Sequence, residues 1–309
     1  MKILVTGGSG LIGKNLQEYV KNDYSNEWLF PTSKELDLID SKSIDLYFSK
    51  NNIDFVVHLA ANVGGLFKNL KYKVEMFRDN ILINENILHY CNKYNINNGI
   101  FCCSTCIYPD NPPQYPITEN MILYGNPHAS NESYGYAKRF LYFQCNNYNK
   151  QYNRKYICIS PCNLFGKYDN FELNTSHVIG GLIHKFYLAN KNNTKLNIKT
   201  GYDSYRQFLS ATEICKILCM FINNFENIDF DNIILSDKEL LICDIIKIIS
   251  TKFPNVEYNI ENIEAGQKKK TCSNKLFTDK YPEYKFGNVI DDILDTINWF
   301  IINYENVKK

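Results

Sequence analysis

The chain has 309 residues, 45% hydrophobic and 22% charged, enough for one large domain or a domain and a half around a proper core. Its 34 basic and 33 acidic residues leave a net charge of +1, which excludes a bulk electrostatic pull toward nucleic acid or an anionic membrane. Eleven cysteines are too sparse for a disulfide scaffold, no stretch approaches the roughly 18 apolar residues of a membrane span, and the N-terminus lacks a charged segment followed by a long apolar run. A soluble, reduced, cytoplasmic protein is expected.

In chain order, Ile3-Leu4-Val5 reads as a strand that ends in glycines, followed by an amphipathic helix over Leu11–Val20. Trp28-Leu29-Phe30 is a second strand, then a helix over about Ser41–Lys50. Phe55–Leu59 is a third strand, followed by a helix around Asn80–Tyr94, and Ile100–Cys103 is a fourth. A helix over about Ser133–Tyr152 leads to a strand at Tyr156–Ser160. This alternation predicts βαβ units on a doubly wound parallel sheet, and the continuous apolar runs suit strands covered on both faces. After Gly166 the rhythm breaks: helices are expected at His177–Ala189 and Ala211–Asn223, strands at Leu196–Lys199 and Asn232–Leu235, and a late helix at Val289–Tyr304. The expected division is a Rossmann-type α/β domain over 1–165, with segments of about 200–235, and a smaller interleaved α/β substrate domain over 166–309. The Lys268-Lys269-Lys270 run reads as a solvated face.

Gly7-x-x-Gly10-x-x-Gly13 lies between the first strand and the first helix. Such glycines permit a tight turn, close approach of a pyrophosphate and close packing of helix on strand, with phosphates at the helix N-terminus. Dinucleotide binding is therefore expected. After the second strand, Ser33 and Lys34 suit a 2′-phosphate and point to NADP, whereas Glu35 is the residue that NAD would use. Tyr134 and Lys138 stand at i and i+4 on one helix face, where an ammonium is expected to lower the phenol pKa and let it exchange the proton that accompanies hydride transfer. Ser104 follows the fourth strand.

The glycine motif, the serine and Tyr-x-x-x-Lys in this order resemble the extended short-chain dehydrogenase/reductase superfamily. Within it, Val63-Gly64-Gly65, Ser104-Thr105-Cys106-Ile107-Tyr108-Pro109, Pro161-Cys162-Asn163-Leu164-Phe165-Gly166, Asn174-Thr175-Ser176-His177-Val178-Ile179 and Tyr205-Arg206-Gln207-Phe208-Leu209 resemble the GDP-L-fucose synthases. The resemblance implies NADPH as cofactor and GDP-4-keto-6-deoxy-mannose as substrate, inverted at carbons 3 and 5 and reduced at carbon 4. It implies Ser104, Tyr134 and Lys138 as the reductive triad and Cys106 and His177 as the epimerisation base and acid. A 4,6-dehydratase would be expected to carry an acidic residue in place of Cys106.

The same resemblance assigns the cofactor to Gly7, Gly10, Leu11, Ile12, Gly13, Ser33, Lys34, Asp37, Leu38, Ala60, Ala61, Lys138, Pro161, Asn163, Leu164 and His177. It assigns the substrate to Asn163, Val178, Lys185, Arg206 and Lys270. Lys185 and Lys199 stand where the family has an arginine and an aromatic, and lysine lacks the bidentate contact. Cys103-x-x-Cys106 and the five histidines lack metal-ligand spacing, so no metal is expected, and His58 reads as a buried strand residue. A homodimer is expected through the Tyr134 helix, whose Phe140-Leu141-Tyr142-Phe143 run is apolar all round. The alternatives are another nucleotide-sugar epimerase or reductase, or a Rossmann regulatory protein without catalysis.

Overall fold

Strand β1 (Lys2–Thr6) carries four consecutive buried residues, because both of its faces are covered. The computed structural model describes residues 1–263, 267 and 269–307. After β1 come α1 (Leu11–Tyr19), β2 (Glu27–Leu29), α2 (Ser41–Lys50), β3 (Phe55–His58), α3 (Leu66–Lys71), α4 (Lys73–Lys93) and β4 (Asn98–Cys102). The chain continues through α5 (Glu132–Tyr152), β5 (Lys155–Pro161), β6 (Asn163–Phe165), α6 (Val178–Asn192), β7 (Leu196–Thr200), β8 (Tyr205–Ser210) and α7 (Ala211–Asn223). It ends with β9 (Asn232–Leu235), β10 (Glu239–Leu241), α8 (Ile242–Ser250), β11 (Tyr258–Asn262), α9 (Lys275–Lys280) and α10 (Val289–Asn303).

Six strands form one parallel sheet in the order β2-β1-β3-β4-β5-β9. Strand order reverses between β1 and β3, and the crevice beyond their carboxyl ends is where open α/β sheets take ligands. Successive residues of a strand feed opposite cores. Ile3 and Val5 pack with Leu16 of α1 and Ile214 of α7, whereas Leu4 packs with Phe48 of α2 and Ile87 of α4. The α/β fold expected from the alternation is the fold observed.

The later region builds a third core of its own. Phe165, Phe208, Ile183, Ile246 and Ile297 cluster there, beneath the sheets β10-β8-β6 and β11-β7. Between its parts, α7 and β9 return to the large sheet, where β9 pairs with β5 from Cys158↔Asn232 to Pro161↔Leu235.

Two expectations need correction. Helix α4 starts at Lys73, well before Asn80, because its buried stripe carries Asn80 and Asn84 among Met76, Ile87 and Cys91, which breaks the apolar period. These amides are paired: Asn80 Nδ2 donates to the Asn62 and Met76 carbonyls, and Asn84 Oδ1 meets His58 Nε2. The run Phe140–Phe143 is not uniformly presented either. Leu141 is fully buried against its own sheet, and Phe140, 47% exposed, is the residue that faces outward. Among the described residues, no helix is long and apolar enough to cross a membrane.

Candidate active site

The glycines after β1 shape one end of a cleft of about 960 Å³. Gly7 has φ +74°, and a Cβ there would lie 2.7 Å from the Ala60 backbone nitrogen, so both conformation and space demand glycine. The Gly10 N–H closes the turn on the Gly7 carbonyl at 3.0 Å. A Cβ on Gly13 would fall 2.4 Å from the Gly7 oxygen and 2.5 Å from Gly8 Cα, so glycine alone lets α1 start this close to the turn. No side chain caps α1, which leaves its first amides to an anion. This cradle fits the pyrophosphate of a dinucleotide.

Along the same cleft stand Leu11 and Ile12, Ser33, Asp37 and Leu38 after β2, Ala60 and Ala61 after β3, and Pro161, Asn163 and Leu164 after β5. Lys34 is exposed and is not among the lining residues. Glu35, the alternative residue for a ribose hydroxyl, is spent on its own turn. Its Oε2 accepts from the Thr32 N–H and hydroxyl, both at 2.8 Å, which lowers its pKa. His58 is fully buried between Thr6 Oγ1 at 2.8 Å and Asn84, and burial takes its pKa down to about 3. It is a satisfied core residue.

The chemistry-bearing residues meet farther in. Ser104 ends the stretch after β4 in extended conformation, and its Oγ accepts from the Cys106 N–H at 3.2 Å, which puts both side chains on one tight turn. Helix α5 presses against that turn at Gly135, where a Cβ would lie 2.7 Å from the Cys106 carbonyl oxygen. Tyr134 and Lys138 therefore reach the same cavity wall. Lys138 is 1% exposed, and its Nζ donates to the Cys102 carbonyl at 2.7 Å. Burial pushes the Tyr134 phenol well above its ordinary value, with Cys106 adding to the shift. This reverses the expected lowering by lysine: desolvation dominates, and the Lys138 ammonium is fixed on a carbonyl. Cys103, by contrast, is buried with its Sγ toward the Lys138 carbonyl, a packing position.

His177 occupies the N-cap of α6, across the cleft. Burial opposes its protonation, but the neighbouring Asp169 carboxylate wins, and the net shift is upward. Asp169 raises it first as a hydrogen-bond acceptor and then through its charge, although His177 Nδ1 and Asp169 Oδ2 themselves are buried without a partner among the described residues. Val178 and Lys185 on α6, Arg206 on β8 and Lys270 bring one apolar and three cationic side chains to this end of the cleft. Arg206 is anchored by the Tyr205 and Gln267 carbonyls. Asn163 Nδ2 donates to the Gln207 carbonyl at 2.8 Å. Lys199 pairs with Glu261 at 3.0 Å. In the lysine run, Lys269 is exposed, Lys270 faces the cleft and Lys268 lies outside the described residues.

Three residues here escaped the sequence reading. Asn131 donates to Cys106 Sγ at 3.0 Å, and Asp169 serves His177. Gly65, known only as part of a motif, joins the cleft walls: its N–H donates to the Thr175 carbonyl at 2.9 Å, and a Cβ on it would meet the Ser176 oxygen at 2.4 Å. Gly65→Ala is expected to displace the segment entering His177. It should lower turnover about tenfold or more by misplacing a reacting group, with cofactor affinity near wild type in a fluorescence titration.

The NAD dependent epimerase/dehydratase family model matches residues 3–234. The GDP-L-fucose synthase of Dictyostelium discoideum is 42% identical over 99% of this chain and 97% of its own length. The probable GDP-L-fucose synthase of Drosophila melanogaster is 34% identical over 100% and 99%. A crystal structure of a GDP-L-fucose synthetase from Naegleria fowleri bound to NADP superposes with a TM-score of 0.91 at 35% identity, covering 100% of this chain and 95% of that one. The glycine cradle on a parallel sheet and these likenesses agree: the chain belongs to the NAD dependent epimerase/dehydratase family and, within it, to the GDP-L-fucose synthases.

Proposed function

We propose that this chain converts GDP-4-keto-6-deoxy-D-mannose to GDP-L-fucose, by inversion at carbons 3 and 5 and NADPH-dependent reduction at carbon 4. The observation that carries this reading is one cleft holding Ser104, Tyr134 and Lys138 together with Cys106 and His177 beside the glycine cradle. NADPH, when bound, supplies the hydride. The loop Gly7–Gly13, Ser33, Asp37, Leu38, Ala60, Ala61, Pro161, Asn163 and Leu164 would hold it, and the 2′-phosphate would fall to Ser33 on the cleft wall and to the exposed Lys34 beside it.

Ser104 and Tyr134 hydrogen-bond the substrate ketone and polarise it, which acidifies the protons on both α-carbons. Cys106 takes an α-proton: the C–H bond breaks, an S–H bond forms, and the electron pair moves to the ketone oxygen as an enolate. His177 returns a proton on the opposite face, which inverts the carbon. Reduction then needs a proton at the ketone oxygen, and the raised pKa of Tyr134 keeps its phenol in the donating form. The buried Lys138 ammonium is a fixed positive charge behind it. Lys185, Arg206 and Lys270 face the diphosphate. Incubation with GDP-4-keto-6-deoxymannose should consume NADPH and yield GDP-L-fucose by product analysis; unchanged NADPH absorbance overturns the assignment.

The large sheet and its helices form the NADP-binding domain in this reading, and the third core with the two small sheets forms the substrate domain. Eleven free thiols suit a reducing compartment, and we place the protein in the cytoplasm. Helices α4 and α5 offer the dimer surface. Val74 is 68% exposed, and Phe77 meets Phe140 edge to face at 6.3 Å on that outer side. Light scattering at micromolar concentration should give twice the 36.1 kDa monomer mass. Phe140→Glu should reduce the particle to a monomer.

A further inference from the structure

We propose that Asn131 is a positioning residue for Cys106, its side-chain amide holding the sulfur as a thiolate and aiming it into the cleft. This rests on the reading of Cys106 as the group that takes the α-proton. Asn131 ends a 3-10 turn, capped by His128, that runs directly into α5. Its side chain caps no helix amide. Its Nδ2 donates instead to Cys106 Sγ at 3.0 Å. Its Oδ1 is buried and has no partner among the described residues.

Burying an unpaired carbonyl costs stability. What the arrangement provides is an N–H aimed at sulfur, and a donor to the charged form favours that form. The other groups facing the sulfur agree with an anion there. Arg206, from β8, is close enough to Cys106 for the two to interact, while burial lowers the guanidinium's own pKa. Tyr134, from α5, is held neutral by burial, and burial likewise pushes the Cys272 thiol up to about 12. Asn131 thus acts before proton transfer, by raising the share of sulfur that is ready to accept a proton.

The test is the pH dependence of Cys106 alkylation by iodoacetamide in the full chain, read by mass spectrometry of the peptide that contains it. Asn131→Ala should move the profile to higher pH, with alkylation near neutrality slowed roughly tenfold. Asn131→Asp keeps the shape but turns a carboxylate toward the sulfur, and should slow it further. NADPH binding at the glycine cradle after β1 reports that a variant is folded, and one folded variant suffices. Deuterium incorporation from solvent into the substrate should fall in step. An unmoved alkylation profile in a folded variant overturns the proposal, because a structural asparagine would leave it unmoved. Wild-type deuterium exchange in Cys106→Ser would remove Cys106 as the base, a separate failure that leaves the alkylation profile to judge Asn131.

Discussion

Gly13→Ala is expected to weaken NADPH binding by about a hundredfold or more, because this position sets how closely the helix N-terminus approaches the phosphates. The added Cβ would stand 2.4 Å from the Gly7 oxygen, 2.5 Å from Gly8 Cα and 2.6 Å from the Gly8 carbonyl carbon. All three are backbone atoms, so no side chain can swing away, and the loop itself must open. Gly10→Ala is the useful contrast. Its Cβ would meet the Gly7 oxygen at 3.3 Å, and its φ of −84° suits any residue, so the turn survives with a small shift. Fluorescence titration with NADPH should therefore rank Gly13→Ala as the worse binder. Equal binding by Gly13→Ala and the parent chain would mean that this turn does not cradle the pyrophosphate.

What sequence reasoning reached and what it missed divide along a physical line. Features set by neighbours in the chain were legible. The boundaries of α2, α7 and β9 match expectation, since each carries its own period or an uninterrupted apolar run. The glycine turn was legible because three glycines at spacing three have few uses after a strand. Helix α8 was not, although Ile242, Ile245, Ile246 and Ile249 share its buried face, because the long-looped region around it offered no strand–helix rhythm to frame it. At the site, Tyr134 and Lys138 sit on one helix, and their spacing revealed them. Asn131 and Cys106 lie 25 residues apart and meet only after α5 packs on the Ser104 turn at Gly135. The direction of the Tyr134 shift likewise depended on burial and on the thiols around it, neither of which a spacing rule contains.

The two halves of the proposed reaction use different side chains on one polarised ketone, so mutation should separate them. Cys106→Ser replaces a thiol by a hydroxyl that ionises far less readily and is a poor base near neutrality. In heavy water it is expected to lose most deuterium incorporation at carbons 3 and 5, by about a hundredfold. Tyr134 and Lys138 remain, so slow NADPH oxidation should continue and yield a reduced sugar that is not fucose. Tyr134→Phe should do the reverse. It removes the proton donor and stops NADPH oxidation, again by about a hundredfold or more, while exchange persists through polarisation by Ser104. His177→Asn should depress exchange and change the product, since an enolate without its acid is reprotonated on the original face. The Asp169 carboxylate keeps His177 protonated to higher pH than an ordinary imidazole, so exchange should fall at higher pH than an unassisted imidazole would allow. Asp169→Asn should move that fall to lower pH. Nuclear magnetic resonance of the sugar protons reads exchange and product identity in one experiment, with NADPH absorbance followed in parallel. Wild-type exchange in Cys106→Ser would make Cys106 a packing residue and remove the epimerase half of the mechanism, while the reductase half, carried by Tyr134 and Lys138, would stand.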